Sequence, residues 1–248
     1  MWVCWHELDC GCAGMSGDAG GTSSMVPAGI RTVDPALDGA TRVVLVRHGE
    51  AACNVNGVVG GPLGCTGLTN RGRAQVEALA ARLTASGELR GATALYASIL
   101  PRAVETASIL APAVGTGQLR IDTHCALCEL HPGGSDGLAW GDAVARFGEP
   151  DWDADPTTPL APGAESWSGF VRRAADGVEG VADRHPGETV VVACHAGVVE
   201  ATLIAWLGVP RPRLKLRTGH ASMTEWERDG TGWRLLRYND AAHLAASG

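Results

Sequence analysis

The stretch Arg42-Val43-Val44-Leu45-Val46-Arg47-His48-Gly49-Glu50 decides how the rest of the chain is read. A short apolar, β-branched run stops at a polar turn, the pattern of a buried strand that ends in a loop. The same design returns downstream, where Glu188-Thr189-Val190-Val191-Val192-Ala193-Cys194 stops at His195-Ala196-Gly197. Glycine follows each histidine at once or after one residue, allowing a tight turn and close backbone approach. Helical patterns succeed both strands, Leu68 to Leu83 and Val198 to Leu207. A third strand, Ala94-Leu95-Tyr96-Ala97, runs into Ser98-Ile99-Leu100-Pro101-Arg102 and another helical pattern. There Ser98 is expected to cap the helix and Pro101 to sit in its first turn. Arg102 would then lie near the positive helix end, in a setting that favours an anion.

Strands alternating with helices predict an α/β fold, a three-layer αβα sandwich on a mostly parallel sheet. In such sheets the ligand crevice lies at the carboxyl ends of the strands. His48 and His195 are therefore placed at one rim, with Arg102 close by. A single rim histidine is more often structural. Two in matching positions, one preceded by Arg47, make a site the better reading.

Composition narrows the classes. The chain has 248 residues, a net charge of −7 and 45% hydrophobic residues, enough for a sizeable core and too apolar for general disorder. The acidic balance argues against a nucleic-acid partner, and no run of about 18 apolar residues offers a membrane span. Glycine, at 34 residues, is about twice its usual share. Lys215 is the single lysine among 20 basic residues, an excess of arginine best explained by GC-rich coding. Arginine nevertheless grips phosphate with a planar fork that lysine lacks.

The placement of the eight cysteines does not suggest a disulfide framework. Cys53, Cys65, Cys125, Cys128 and Cys194 lie in or beside apolar runs, as buried thiols do. The first residues lack a signal-peptide pattern, so a cytoplasmic location is expected. Residues 1–38 read as a flexible tail, with Met15 or Met25 a possible true start, and 39–248 as one domain. Cys4, His6, Cys10 and Cys12 lack the second ligand pair of a zinc finger. His124-Cys125-Ala126-Leu127-Cys128-Glu129-Leu130-His131 again spaces cysteine and histidine like ligands. Four ligands in eight residues leave too little chain to wrap a tetrahedral ion, so no metal and no cofactor is expected.

Taken together, these residues resemble the histidine phosphatase superfamily, the phosphoglycerate mutase-like family. The resemblance is carried by Arg47-His48-Gly49-Glu50 with Asn54, then Leu68-Thr69, Gly72 and Gln75. It continues through Ser98…Arg102-Ala103…Thr106-Ala107, Glu129, Pro162-Gly163-Ala164-Glu165-Ser166-Trp167, His195 and Tyr238-Asn239-Asp240…His243-Leu244. It covers roughly residues 42–245. It implies His48 as the nucleophile that becomes phosphohistidine, Arg47, Arg102 and His195 around the phosphoryl group, and Glu129 as general acid and base. Fixed cationic donors stabilise charge on a phosphoryl group in transfer. His48 must be neutral to attack, its other nitrogen donating to a backbone carbonyl, whereas His195 helps most when protonated.

Glu129 is expected at the end of a strand running from Ile121 to Cys128, with Glu50 and Glu165 as rival acids. Asn54 is expected near the phosphate or the His48 loop, and Gly60, Gly61 and Ala196 at the substrate. His131, His220 and His243 read as structural or exposed. Trp140, Trp152 and Trp167 line a substrate pocket or pack in the core, and Pro150 to Pro162 is expected to form part of a lid. Relatives often carry Trp-Glu-Gly after the acid, where this chain has Gly137-Leu138-Ala139-Trp140-Gly141-Asp142. Dedicated mutases follow the acid with extra basic residues, yet Arg146 alone lies between Arg120 and Arg172. Hydrolysis of a small phosphate ester is favoured over a mutase reaction, and both over a non-catalytic phosphate binder. A homodimer is a possible assembly.

Overall fold

The computed structural model describes residues 39–210 and 216–247; the expectations for residues 1–38 and for Lys215 lie outside them. Six strands form one sheet: β1 (Thr41–Arg47), β2 (Ala92–Ala97), β3 (Ile121–Thr123), β4 (Thr189–Cys194), β5 (Met223–Asp229) and β6 (Gly232–Asp240). Their order is β3-β2-β4-β1-β5-β6. The first four are parallel, and the β5–β6 hairpin joins β1 antiparallel. The helices are α1 (Ala52–Val55), α2 (Asn70–Ser86), α3 (Pro101–Leu110), α4 (Trp140–Phe147), α5 (Trp167–Asp183) and α6 (Ala196–Leu207).

The continuous apolar run of β1 has a simple cause: both its faces are covered. Side chains alternate across a strand, so Val43 and Leu45 face one layer and Val44 and Val46 the other. The first pair joins Val190 and Val192 of β4 against Phe170, Ala174 and Val178 of α5 and Val198 of α6. The second pair joins Val191 and Ala193 against Val76, Leu79 and Leu83 of α2 and Ala107 and Leu110 of α3. Helices on both faces of a largely parallel sheet give the expected three layers.

Two local expectations change. The strand before Glu129 ends at Thr123, because His124 turns and its Nδ1 accepts from the Ala126 N–H (3.1 Å), opening a 3₁₀ turn at Cys125–Leu127. That turn drives Leu127 into the core, and a loop, not a strand, delivers Glu129. Ser98 does not cap α3. The cap position is Leu100, and the Ser98 hydroxyl accepts from the Leu100 N–H (3.2 Å) while also facing His195.

The His48 turn is held by close backbone approach to α2. A Cβ on Gly72 would meet the Glu50 carbonyl oxygen at 2.0 Å, and one on Gly49 would meet the Gly72 carbonyl oxygen at 2.3 Å. Alanine in place of glycine inside a helix ordinarily stabilises by about 0.5–1 kcal/mol. At Gly72 the sign inverts: Gly72→Ala is expected to cost about 1–3 kcal/mol in urea denaturation, as overpacking does, and to lower turnover by displacing the His48 turn.

Candidate active site

The parallel strands end level with one another, and each ladder is continued by one hydrogen bond into the following loop. The His48 N–H donates to the Cys194 carbonyl (2.9 Å), the Ser98 N–H to Ala193 (3.0 Å) and the His124 N–H to Ala97 (2.9 Å). These bonds fix the loops after β1, β2 and β3 at one height. The His48 and His195 rings lie 5.2 Å apart, edge to face. His48, Arg102 and His195 are all buried.

His48 is oriented by its own turn. Its Nδ1 lies 2.6 Å from the Gly49 carbonyl oxygen, which can only accept, so Nδ1 carries the proton. Nε2 is left with a lone pair, toward which Arg102 Nε donates at 3.1 Å. Burial, then Arg102, His195 and Arg47, hold the His48 pKa well below the ordinary histidine range. The ring is neutral and its unprotonated Nε2, which accepts from Arg102, points into a cationic pocket, as a nucleophile for a phosphoryl group requires.

Two arginines form that pocket. Arg102, in the first turn of α3, also donates from Nη1 to the Gly60 carbonyl (2.7 Å). Two bonds made at once fix the guanidinium plane, which a lysine cannot reproduce. Arg47 donates from Nη1 to the Thr218 carbonyl, and its Nη2 lies 2.9 Å from His220 Nε2. Arg47 Nε is buried with no partner among the described residues. Burial outweighs the nearby Glu129 and lowers the Arg47 pKa to about 10, so it stays charged at neutral pH.

His195 caps the site from β4. Its Nε2 faces the Ser98 hydroxyl at 2.7 Å, while Nδ1 is buried without a partner among the described residues. Burial, then Arg102 and Arg47, push its pKa well below the usual value. His195 is therefore neutral, since burial disfavours the charged ring and two neighbouring cations repel the proton, whereas the sequence reading has it helping most when protonated. A bound phosphate dianion would oppose that repulsion.

Glu129 lies beside α6. Its Oε2 accepts from the Gly197 N–H (3.0 Å) and its Oε1 from the Leu130 N–H (3.1 Å). A Cβ at residue 197 would meet Glu129 Oε1 at 2.1 Å, which accounts for the glycine. Burial raises the carboxyl pKa, and these N–H groups with Arg102 and Arg47 only partly offset it. A carboxyl that keeps its proton above the ordinary range can act as an acid. The rivals are committed elsewhere. Glu50 accepts from the Thr69 hydroxyl (2.7 Å) and pairs with Arg71 (3.5 Å). Glu165 is gripped by Arg173 through Nε and Nη2, both at 2.7 Å. Burial works to raise its pKa, but Arg173 and the His131 N–H outweigh that and hold it low.

The lesser expectations divide. Asn54 Oδ1 accepts from the Ala51 N–H (3.3 Å), bracing the loop after His48. Gly60 holds Arg102, whereas Gly61 packs against Asp136 and Pro132. Ala196 opens α6 next to His195, where helix N–H groups lack intrahelical acceptors. His220 corrects the expectation of a structural or exposed residue. Its ring lies 5.8 Å from His48, it touches Arg47, and burial followed by Arg47 lowers its pKa to about 3. The sequence signal was slight: a histidine in a short polar turn before β5. Trp152 and Trp167 are buried and stacked at 5.6 Å in the core, so the 150–162 segment is anchored by Trp152. Trp140 packs at the margin of the same cluster.

Residues 43–241 match the histidine phosphatase superfamily, branch 1. The chain belongs to that superfamily. It is 33% identical to a 2,3-bisphosphoglycerate-dependent phosphoglycerate mutase of Brucella anthropi, over 76% of this chain and 94% of the relative. It is 29% identical to a metal-independent phosphoserine phosphatase of Arabidopsis thaliana, over 84% and 85%. Among solved structures, a mycobacterial glucosyl-3-phosphoglycerate phosphatase complexed with VO3 superposes with a TM-score of 0.65 at 27% identity, covering 80% of this chain and 98% of that one. The chain is a phosphomonoesterase of the histidine phosphatase type.

The geometry predicts a titration. In ¹⁵N-histidine spectra of the full chain, His48 should show a protonated Nδ1 and an unprotonated Nε2, unchanged from about pH 8 to about pH 6. A His48 that titrates near 6.5 would contradict the neutral, pre-oriented ring.

Proposed function

We propose that this histidine phosphatase hydrolyses a small phosphate ester by two in-line transfers, with His48 as the covalent relay. The observation that carries this reading is the His48 ring itself, neutral, with Nδ1 on the Gly49 carbonyl and Nε2 beside Arg102. In the first transfer Nε2 attacks phosphorus, the P–O ester bond breaks, and Glu129 gives its proton to the departing oxygen. Arg47, Arg102 and His195, whose Nδ1 carries the proton when Nε2 accepts from the Ser98 hydroxyl, bind the equatorial oxygens, where charge accumulates. In the second, the Glu129 carboxylate takes a proton from water, the oxygen attacks phosphorus, and the P–N bond breaks. Phosphate leaves with His48 neutral and Glu129 protonated again.

Hydrolysis is the favoured outcome over transfer to a second hydroxyl. The loop after Glu129 reads Leu130-His131-Pro132-Gly133, without the added bases that would hold a substrate carboxylate. The mutase among the relatives keeps the alternative alive, and 3-phosphoglycerate separates the two by yielding free phosphate or an isomer. The cytoplasm is part of the same proposal: the five described cysteines are unpaired, as a reducing compartment keeps them. No described helix is long and apolar enough to cross a membrane.

Hydrolysis of p-nitrophenyl phosphate in EDTA should fall by roughly 10³-fold or more in His48→Ala, the scale of a lost nucleophile. Rapid quenching of the wild type with a ³²P-labelled ester should trap acid-labile, alkali-stable label. Full activity in the variant would overturn the reading.

Glu129→Gln gives a second test. Alkyl phosphates need protonation of the leaving oxygen and should slow by about 10²–10⁴-fold, while p-nitrophenyl phosphate should slow much less. The pH profile follows in sign. The raised Glu129 pKa keeps the acid form above the ordinary carboxyl range, so wild-type alkyl hydrolysis declines as pH rises through it. The depressed His48 pKa keeps the nucleophile free on the acid side. The profile for an alkyl ester should therefore fall on its alkaline side as Glu129 loses its proton, and that limb should vanish in Glu129→Gln.

A further inference from the structure

We propose that Cys125, Cys128 and His131 form a binding site for one zinc-class divalent cation, on the loop that carries Glu129. Their donor atoms lie within 4.8 Å of one another. Cys125 Sγ is 3.4 Å from His131 Nε2. A tetrahedral ion with bonds of ~2.3 Å to sulfur and ~2.0–2.1 Å to nitrogen spaces those atoms about 3.5 Å apart. Two thiolates and an imidazole are the borderline-soft donors that select such an ion over Mg²⁺ or Ca²⁺.

The surroundings are those of a prepared site. His131 turns Nε2 to the sulfurs and Nδ1 toward Glu165 Oε2 at 3.5 Å, an outer carboxylate of the kind that orients a ligating histidine. Glu165 is in turn clamped by Arg173. Arg173 Nη1 also donates to the carbonyls of Cys125 (3.3 Å), Ala126 (3.0 Å) and Cys128 (3.1 Å), and Nη2 to that of Glu129 (3.2 Å). One guanidinium thus shapes the whole ligand loop before any ion arrives.

Eight residues need not wrap the ion, because only three donors converge. His124, whose Nδ1 is taken by the Ala126 N–H, stands outside the group. The fourth position falls to water or an outside ligand. Cys125 is exposed and offers an entry path, while Cys128 is buried. Binding would release the two thiol protons and tie residues 125 and 128 to residue 131, bracing Glu129 between them. The ion would hold the loop and take no part in the reaction, so hydrolysis is expected to proceed in EDTA.

The test uses the full chain, reduced, stripped with EDTA, incubated with Zn²⁺ and desalted. Metal analysis should find one ion fewer per chain in Cys125→Ser and in His131→Gln than in the wild type, whatever Cys4, Cys10 and Cys12 retain. Co²⁺ in place of Zn²⁺ should give thiolate-to-metal charge-transfer absorption and tetrahedral d–d bands that weaken in both variants. The melting temperature should rise with Zn²⁺ more in the wild type than in Cys125→Ser. Both variants should match the wild type in circular dichroism and in hydrolysis in EDTA, which shows them folded. Equal metal content in wild type and folded variants would overturn the site, as would Co²⁺ spectra without thiolate bands.

Discussion

The parallel pairing of β1 with β4 is the constraint on which the site depends. Its register sets Arg47 opposite Cys194, and the next hydrogen bond, from the His48 N–H to the Cys194 carbonyl, places the two histidines side by side. About 150 residues separate them in sequence, so no local interaction could bring this about. The pairing holds because both strands are buried on both faces. Slipping one residue would exchange the side chains packed on α5 and α6 for those packed on α2 and α3.

Burial then sets the chemistry. His48, His195, His220 and Glu129 all lie away from water, where carrying charge is costly. The histidines give up their protons more readily and the carboxyl holds its own more tightly, while Arg47 stays charged because its intrinsic basicity is so high. The pocket therefore combines unprotonated histidine rings, a carboxyl of raised proton affinity and fixed positive charge. A phosphate dianion is the ligand that such a balance favours. Arg173 plays a corresponding part outside the pocket, where it removes Glu165 from contention and shapes the loop of Glu129.

Much of the site was legible because its residues stand at strand ends. Val43–Val46 and Val190–Cys194 are unbroken apolar runs, and a polar residue directly after such a run falls at the rim of a parallel sheet. Arg47, His48 and His195 followed from that rule, and Arg102 from its place in the first turn of the helix after β2. His220 did not, since it arrives on a turn before an antiparallel strand and meets the site through Arg47 and the His48 ring. The strand drawn from Ile121 to Cys128 failed for a local reason: His124 folds back on the Ala126 N–H, an interaction that hydrophobic pattern does not encode.

The sequence by itself determined the layer architecture, the rim residues and the family, because periodicity and motif order survive without coordinates. Tertiary structure alone decided charge and partnership. It made His195 neutral by burying it, with arginines beside it, separated Glu129 from Glu50 and Glu165 by their partners, and drew Cys125, Cys128 and His131 around one point. The physical reason is common to all three. Proton affinity and ligand geometry depend on the distances between groups and on their exclusion from water, and those distances exist only once the chain has closed upon itself.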